Sequence, residues 1–422
     1  MNRNPVKCNP WGWVPSLYFA EGLPYAIVIS LSVVMYKELG LSNADATFYT
    51  GWFSLPWVFK PLWSPFVDLL KTKRWWIVTM QILMGVGMAG IAFTLPLDGW
   101  LQWSLAIFWL MAFSSATHDV AADGFYMMAL DDGEQSFFVG IRSTFYRLAA
   151  LAGESGLMIL VGWLFSFCND QRKAWIITFI VVTIAFASIG LWHAFVLPRP
   201  RSDSKRELVA SGIFKELIQT FITFFKKDGV IPALLFMLLF RFPEVQLGKI
   251  SSLFLLDSIE KGGLGLTMGQ VAWVKMFSPI GLTLGGILGG VCVSRDGLKR
   301  WLWPMVWAIS LPDVVYVYLS FAQPNNLIIV SSCFLIEQFG YGFGFTAYML
   351  FLIYYARGKH ETAHYAIATA FMAASQLPGM LSGALQEWMG YQGFFIWIMA
   401  CCAVTFMVSA FLKIDPEFGC KR

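Results

Sequence analysis

The stretch WSPFVDLLKTKRW at residues 63–75 closes a long apolar segment with a short basic turn. The stretch GGVCVSRDGLKRW at residues 289–301 has the same arrangement, and both stretches end in Lys-Arg-Trp. Each follows the second apolar segment of its half of the chain. A repeated pattern at equivalent places predicts two halves built on one plan.

The composition predicts a helical membrane protein. Hydrophobic residues make up 57% of the chain and charged residues 13%, against about 25% charged residues in soluble domains. The mean hydropathy is +0.62. The apolar runs are continuous rather than alternating, which favours helices over a β-barrel. We predict membrane spans at residues 13–36, 46–68, 75–95, 101–128, 138–167, 174–197, 230–256, 269–293, 301–321, 326–354, 363–387 and 391–412.

The basic residues predict the orientation. Lys and Arg concentrate at both termini and in every second loop, and the opposite loops hold few of them, which places both termini in the cytoplasm. We predict an N-terminal six-helix half at 1–197, a cytosolic linker at 198–229 and a C-terminal six-helix half at 230–422. Within the linker, apolar residues recur at near-helical spacing over 207–227, which favours an amphipathic helix on the inner membrane face over a plain linker.

Several classes of site lack support in the sequence. The seven cysteines show no CxxC spacing and the four histidines form no HExxH motif, so neither disulfides nor a metal site is indicated. The sequence contains no Walker loop of the form GxxxxGK(S/T), so we expect no ATPase motor in this chain. A formal charge of +4 is too small to suggest that the chain binds nucleic acid. We therefore expect no enzyme activity, no cofactor and no nucleic-acid partner.

Charged residues inside the apolar segments are the strongest functional signal. A charge at the centre of a membrane helix costs about 2.5–3.5 kcal/mol or more. Such residues should face a protein interior or a water-filled path, which indicates a transporter. Two roles stay open for them, namely substrate or ion coupling and static pairing between helices. The clearest cases are Glu21, Lys60, Arg241, Asp313 and Glu337.

The turn that follows the second predicted span resembles the loop signature of the major facilitator superfamily, an acid at a helix end followed by bases. Ser294 replaces the acid in the second copy. The fold implied is all-α, with twelve transmembrane helices in two pseudo-symmetric six-helix halves and a site near the midplane.

Shorter motifs resemble the AmpG muropeptide permease family. Glu21-Gly-Leu-Pro24 in the first span and Leu55-Pro-Trp-Val-Phe-Lys60 in the second are similar to that family. His118-Asp119 stands where the family has Gln-Asp, and Asp123 follows. In the second half the motifs that agree are Arg241 with Glu244, then Lys275, then the Gly-rich stretch that starts at Glu337, and lastly the segment with His364.

The resemblance implies proton-driven import of muropeptides or related anionic amino-sugar solutes across a bacterial inner membrane. An acetyl-CoA-like, acyl-CoA-like or siderophore-like anion is the alternative substrate. We expect the partners to be a small-molecule substrate, protons and the lipid bilayer, and the chain to be a monomer. Membrane bases would hold the substrate carboxylates and acids would carry the proton.

The candidate residues fall into three groups. The substrate group is Lys60, Arg241, Lys275, Trp57 and Glu337. The proton-coupling group is Glu21, Glu154, Glu244 and Asp123. The gate or ion network is Asp119, Arg142, Arg147 and Asp68. Glu21 and Arg241 occupy equivalent first spans of the two halves near mid-depth, so we also predict that they pair.

Overall fold

A computed structural model describes residues 9–130, 132–199, 210–357 and 361–419. All regular structure in these ranges is helical, so the all-α fold class is confirmed. Ten helices among the described residues are long and apolar enough to cross a membrane. One of them, His364–Ala410, is 47 residues long and is interrupted at Gly390, whose φ is 69°. That interruption agrees with the two spans predicted there, and the predicted total of twelve is consistent with the helices observed.

We number the helices in chain order and treat short π or 3-10 turns as parts of the helix that they interrupt. The first six are α1 (Val14–Ala26, Ile27–Leu31, Ser32–Glu38), α2 (Asn43–Gly51, Trp52–Ser54, Leu55–Leu70), α3 (Lys73–Thr94), α4 (Trp100–Ala129), α5 (Asp132–Leu151, Ala152–Gly156, Leu157–Cys168) and α6 (Gln171–Val196). A 3-10 turn at Pro10–Gly12 precedes α1.

The remaining helices are α7 (Ala210–Phe225), α8 (Val230–Leu239, Phe242–Leu256), α9 (Met268–Met276, Ser278–Asp296), α10 (Leu298–Ser310, Leu311–Asp313, Val314–Ala322), α11 (Leu327–Ala356), α12 (Glu361–Ala374, Leu377–Leu381) and α13 (Ser382–Ala410). A 3-10 turn at Ile259–Lys261 lies between α8 and α9.

Polar residues at helix starts explain several of these boundaries. The Thr267 side chain accepts a hydrogen bond from the Gln270 backbone amide, and the Gln270 side chain accepts one from the Thr267 backbone amide, which forms a capping box at the start of α9. Asp170 accepts from the Lys173 amide at 3.1 Å before α6. That hydrogen bond lowers the pKa of Asp170, which lies between two membrane helices.

The chain forms two compact units. The first comprises residues 1–39 and 59–213, and the second comprises residues 40–58 and 214–422. The first part of α2 therefore belongs to the second unit, while the rest of α2 belongs to the first. The predicted boundaries of the halves and the linker stay predictions.

Glycines let α1 and α5 pack closely in the first unit. A Cβ at Gly22 would lie 2.7 Å from the carbonyl oxygen of Tyr146, and one at Gly153 would lie 2.9 Å from Cβ of Ala26. This contact explains the glycine of the Glu21-Gly-Leu-Pro24 motif physically, because small residues let helix backbones approach in lipid.

In the second unit, α9 packs on α11 through the glycines spaced by four. A Cβ at Gly281 would lie 2.6 Å from the carbonyl oxygen of Leu335, and one at Gly289 would lie 2.8 Å from Oγ1 of Thr346. Gly285 lies against the backbone of Phe339 between them. The predicted packing role of this face is confirmed. The other predicted pair is more open, since a Cβ at Gly290 would meet nothing within 4 Å.

A buried hydrogen-bond network holds the start of α2 within the second unit. Asn43 Nδ2 donates to Asp257 Oδ2 at 3.0 Å and to Gln386 Oε1 at 2.7 Å. The hydroxyl of Tyr391 donates to the same Asp257 oxygen at 2.7 Å. All four side chains are buried, so the network attaches this segment to α13 and to the end of α8.

The predicted amphipathic segment 207–227 contains α7, although residues 200–209 and the side chains of 210–217 lie outside the described residues. Thr223 Oγ1 lies 3.0 Å from Nε2 of His364, and the ring of Phe224 packs edge-on against that imidazole. His364 thus has a packing partner on α7. The position of α7 on a membrane face stays a prediction.

Candidate functional site

Charged side chains from different helices meet within each unit. In the first unit, Lys60 of α2 forms an ion pair with Asp119 of α4. Their side chains are 26% and 17% exposed. The predicted substrate-binding lysine and the predicted gate aspartate are therefore direct partners in this structure.

Asp123 lies one helical turn after Asp119 and has a different partner. Its Oδ1 is 3.2 Å from a terminal nitrogen of Arg142 on α5, and it accepts a hydrogen bond from the Tyr18 hydroxyl at 3.0 Å. Arg142 also donates to that hydroxyl at 3.0 Å and lies over the rings of Tyr18 and Tyr126. Asp123, Arg142 and Tyr18 thus contact one another, with Tyr18 at the centre, and the roles predicted for Asp123 and Arg142 stay predictions.

Glu21 is buried beside these two pairs. Its side chain is 8% exposed and its charged neighbours include Asp119 and Asp123. Oε2 of Glu21 has no hydrogen-bond partner among the described residues. Glu21 thus lies in a group of three acids from α1 and α4.

The other residues predicted in this half lie elsewhere. Glu154 is half-buried in the π-helical turn of α5, and Arg147 is exposed on the same helix. Asp68 lies near the end of α2, and its side chain is outside the described residues. Trp57 is buried in the part of α2 that belongs to the second unit.

In the second unit, Arg241 stands at a break in α8, and Pro243 lies in the first turn of the second part of the helix, which begins at Phe242. Its Nη2 donates to the Tyr341 hydroxyl at 2.8 Å, and its guanidinium lies 5.1 Å from the centre of the Phe345 ring. The Gln376 amide oxygen, in the orientation that satisfies both groups, accepts from both terminal nitrogens at 3.1 Å. Aromatic rings and an amide thus fix the direction of this cation.

Three acids meet near that break. Carboxylate oxygens of Glu244, Asp313 and Glu337 lie within 4.8 Å of one another, and all three side chains are buried. Asp313 follows Pro312 in the 3-10 turn of α10. Glu337 accepts from the Tyr316 hydroxyl at 3.2 Å and from the Gln338 amide at 3.1 Å and 3.0 Å.

Two lysines are further charged residues of this unit. Lys275 Nζ donates to Ser252 Oγ at 2.5 Å. Lys249 is half-buried on α8, and a Cβ at Gly379 would lie 3.2 Å from its Cγ. Lys249 is absent from the predicted set, although a lysine within a predicted span is itself a signal.

Uncharged partners are the other residues that the sequence did not reveal. Tyr18, Tyr341 and Gln376 orient the charged groups, but nothing in the sequence separates them from other polar residues of their helices. Glu21 and Arg241 belong to different units, and their pairing stays a prediction. Each unit thus presents oriented cations beside buried acids, a combination that can bind an anion and exchange a cation.

The sequence pattern of the Major Facilitator Superfamily matches residues 16–382. The chain is similar to a candidate transporter named AmpG 4 of Rickettsia conorii, with 25% identity over 94% of this chain and 95% of that protein. It is also similar to the anhydromuropeptide permease of Escherichia coli K12, with 24% identity over 91% of this chain and 76% of that protein.

Solved structures share the fold at low sequence identity. A D-xylose-proton symporter superposes with a TM-score of 0.69 at 14% identity, covering 96% of this chain and 97% of that one. The nucleoside transporter NupG gives a TM-score of 0.69 at 14% identity, covering 95% and 98%. At these identities the likeness concerns the fold alone.

Proposed function

The chain belongs to the Major Facilitator Superfamily, and on that premise we propose that it imports muropeptides or related anionic amino-sugar solutes, driven by protons. Its general class is that of a multi-pass membrane transporter and not of an enzyme. Similarity to an anhydromuropeptide permease over 91% of this chain supports the substrate class. The bacterial inner membrane is the proposed location, with both termini in the cytoplasm.

The observation that carries the proposal is the way Arg241 is held. Its guanidinium is oriented by uncharged groups, Tyr341, Phe345 and Gln376. These contacts fix the direction of the guanidinium, which suits a cation that receives a carboxylate of the substrate. Lys60 and Lys275 are the further cations proposed to contact the solute, with Trp57 and Glu337 as uncharged and acidic contacts.

Buried acids supply the proposed coupling. Glu21 lies beside Asp119 and Asp123 in the first unit, and Glu244 lies in the acid group of the second. We propose Glu21, Glu244, Asp123 and Glu154 as proton carriers, and the Asp119, Arg142, Arg147 and Asp68 set as an ion network that gates the path.

Uptake into proteoliposomes tests the proposal. Labelled anhydromuropeptide, the free disaccharide and acetyl-CoA are offered separately, with and without an inward proton gradient. We expect uptake of the anhydromuropeptide, stimulated by the gradient and abolished by a protonophore. Uptake of acetyl-CoA in its place would establish the alternative anion, and gradient-independent uptake would refute proton coupling.

A further inference from the structure

The acid group of the second unit combines three helices at one point. Glu244 comes from α8, Asp313 from α10 and Glu337 from α11, and their side chains are 9%, 1% and 2% exposed. One oxygen from each lies within 4.8 Å of the others. These positions are far apart in the sequence, so only the fold brings them together.

Three bare carboxylates at this separation repel one another strongly, because burial removes the water that would screen them. Two bases lie near enough to act on them, Arg241 on Glu244 and Lys275 on Glu337. When all three acids are ionised, two positive charges against three negative ones leave one negative charge. A single monovalent cation would neutralise the group.

The hydrogen bonds point to a ligand independently of the charges. Oε1 of Glu244 and Oδ1 of Asp313 are buried and have no hydrogen-bond partner among the described residues. Oδ2 of Asp313 accepts from the Cys402 thiol at 3.7 Å. The Asp313 and Glu244 side chains also lie within hydrogen-bonding distance of each other, so a bound cation would take the place of a proton that these two acids share. Buried acceptors are nearly always satisfied, and a bound ion is one of the groups that satisfies them.

We propose that Glu244, Asp313 and Glu337 bind one Na⁺ ion. Carboxylate oxygens are hard ligands, which suit hard cations. Oxygens that coordinate one ion at about 2.3–2.6 Å, the range for Ca²⁺, lie up to about 5 Å apart, in agreement with the spacing here. The residual charge of the site selects the monovalent ion. Glu244 is also a proposed proton carrier, so the inference deepens the proposed function by naming a second coupling ion.

Binding of radioactive sodium tests the site without any organic solute, so its result is independent of the uptake assay. The purified full chain in detergent at pH 8 is titrated with ²²Na⁺, and choline chloride keeps the ionic strength constant. We expect saturable binding of one ion per chain that unlabelled Na⁺ displaces. Asp313→Asn and Glu244→Gln should each weaken it at least tenfold.

Glu260→Gln is the matched control, because Glu260 is an exposed acid in the turn Ile259–Lys261 of the same unit. This variant should bind Na⁺ as the wild type does. Asp313→Asn and Glu244→Gln are both tested in case one of them fails to fold, and size-exclusion chromatography checks the folding of each. Absence of displaceable ²²Na⁺ binding in the wild type would overturn the proposal and indicate a proton in the site. Unchanged affinity in folded Asp313→Asn or Glu244→Gln would overturn it as well.

Discussion

Lys60 and Asp119 form an ion pair between α2 and α4 within the first unit. Both side chains retain partial exposure, 26% and 17%, so the pair is neither sealed in the protein nor fully solvated. If a solute can displace Asp119 from Lys60, the lysine can bind that solute. If the pair is permanent, it serves to pack α2 against α4. The two roles give different results when the pair is broken.

We expect Lys60→Ala to reduce uptake at least tenfold while the protein still folds. The unpaired Asp119 should lower the stability by about 1–3 kcal/mol, less than for a fully buried pair because water reaches the site. Uptake in proteoliposomes and the melting temperature in detergent measure the two effects. Lys173→Ala is the control, since Lys173 is 68% exposed in its pair with Asp170. Normal uptake in folded Lys60→Ala would exclude a site role for this lysine.

Substitution of two glycines on α9 should separate the face that packs from the face that does not. Gly285→Ala places a methyl group against the α11 backbone at Phe339 and Phe343, which cannot rotate away. We expect a loss of about 1–3 kcal/mol of stability. Gly290→Ala is the matched control on the same helix, with no atom within 4 Å, and it should be neutral or slightly stabilising. Equal melting temperatures of the two variants in detergent would contradict this packing.

The helices could be predicted from the sequence because long apolar runs allow few alternatives in a membrane. Spacing by four also predicted the small face of α9. The choice between the face with Gly285 and the face with Gly290 depends on where α11 lies, which the spacing does not encode. Breaks such as the one at Arg241 are signalled only by the prolines beside them.

The charged residues were visible in the sequence, but most of their partners were not. A lone charge in an apolar segment stands out, and depth along a helix gives its level in the membrane. Its partner depends on helix rotation and neighbour order. The sequence therefore predicted a substrate-binding role for Lys60 without identifying Asp119 as its partner. It also did not predict that Glu244 lies close to Asp313 and Glu337.

Labelling of single cysteines should place residues 200–206 and 297–299 on the same side of the membrane as both termini. The reason is the concentration of Lys and Arg in these segments. Each cysteine is introduced into a variant that lacks the seven native ones, and a membrane-impermeant maleimide is applied to intact cells and to inverted vesicles. Labelling of 200–206 in intact cells would contradict the predicted orientation. A cysteine at Lys261 is the positive control, because this residue lies in the loop between the predicted spans 230–256 and 269–293, on the side opposite to the termini.

Glu21 and Arg241 should be energetically coupled if they pair as the sequence predicts. Both are expected near mid-depth, where an uncompensated charge is costly. Removal of one partner leaves the other unpaired, so each single neutralisation should destabilise the protein and the double neutralisation should cost less than the sum of the two. We would measure the melting temperature in detergent and the substrate affinity for Glu21→Gln, Arg241→Gln and the double variant. A coupling of about 0.5–3 kcal/mol is expected for side chains in contact.

Strictly additive stability changes, with affinity lost only in the Arg241 variants, would show that no pair exists. Arg241 would then act as a lone anchor for the solute, and Glu21, buried beside Asp119 and Asp123, would act as a proton site in the first unit.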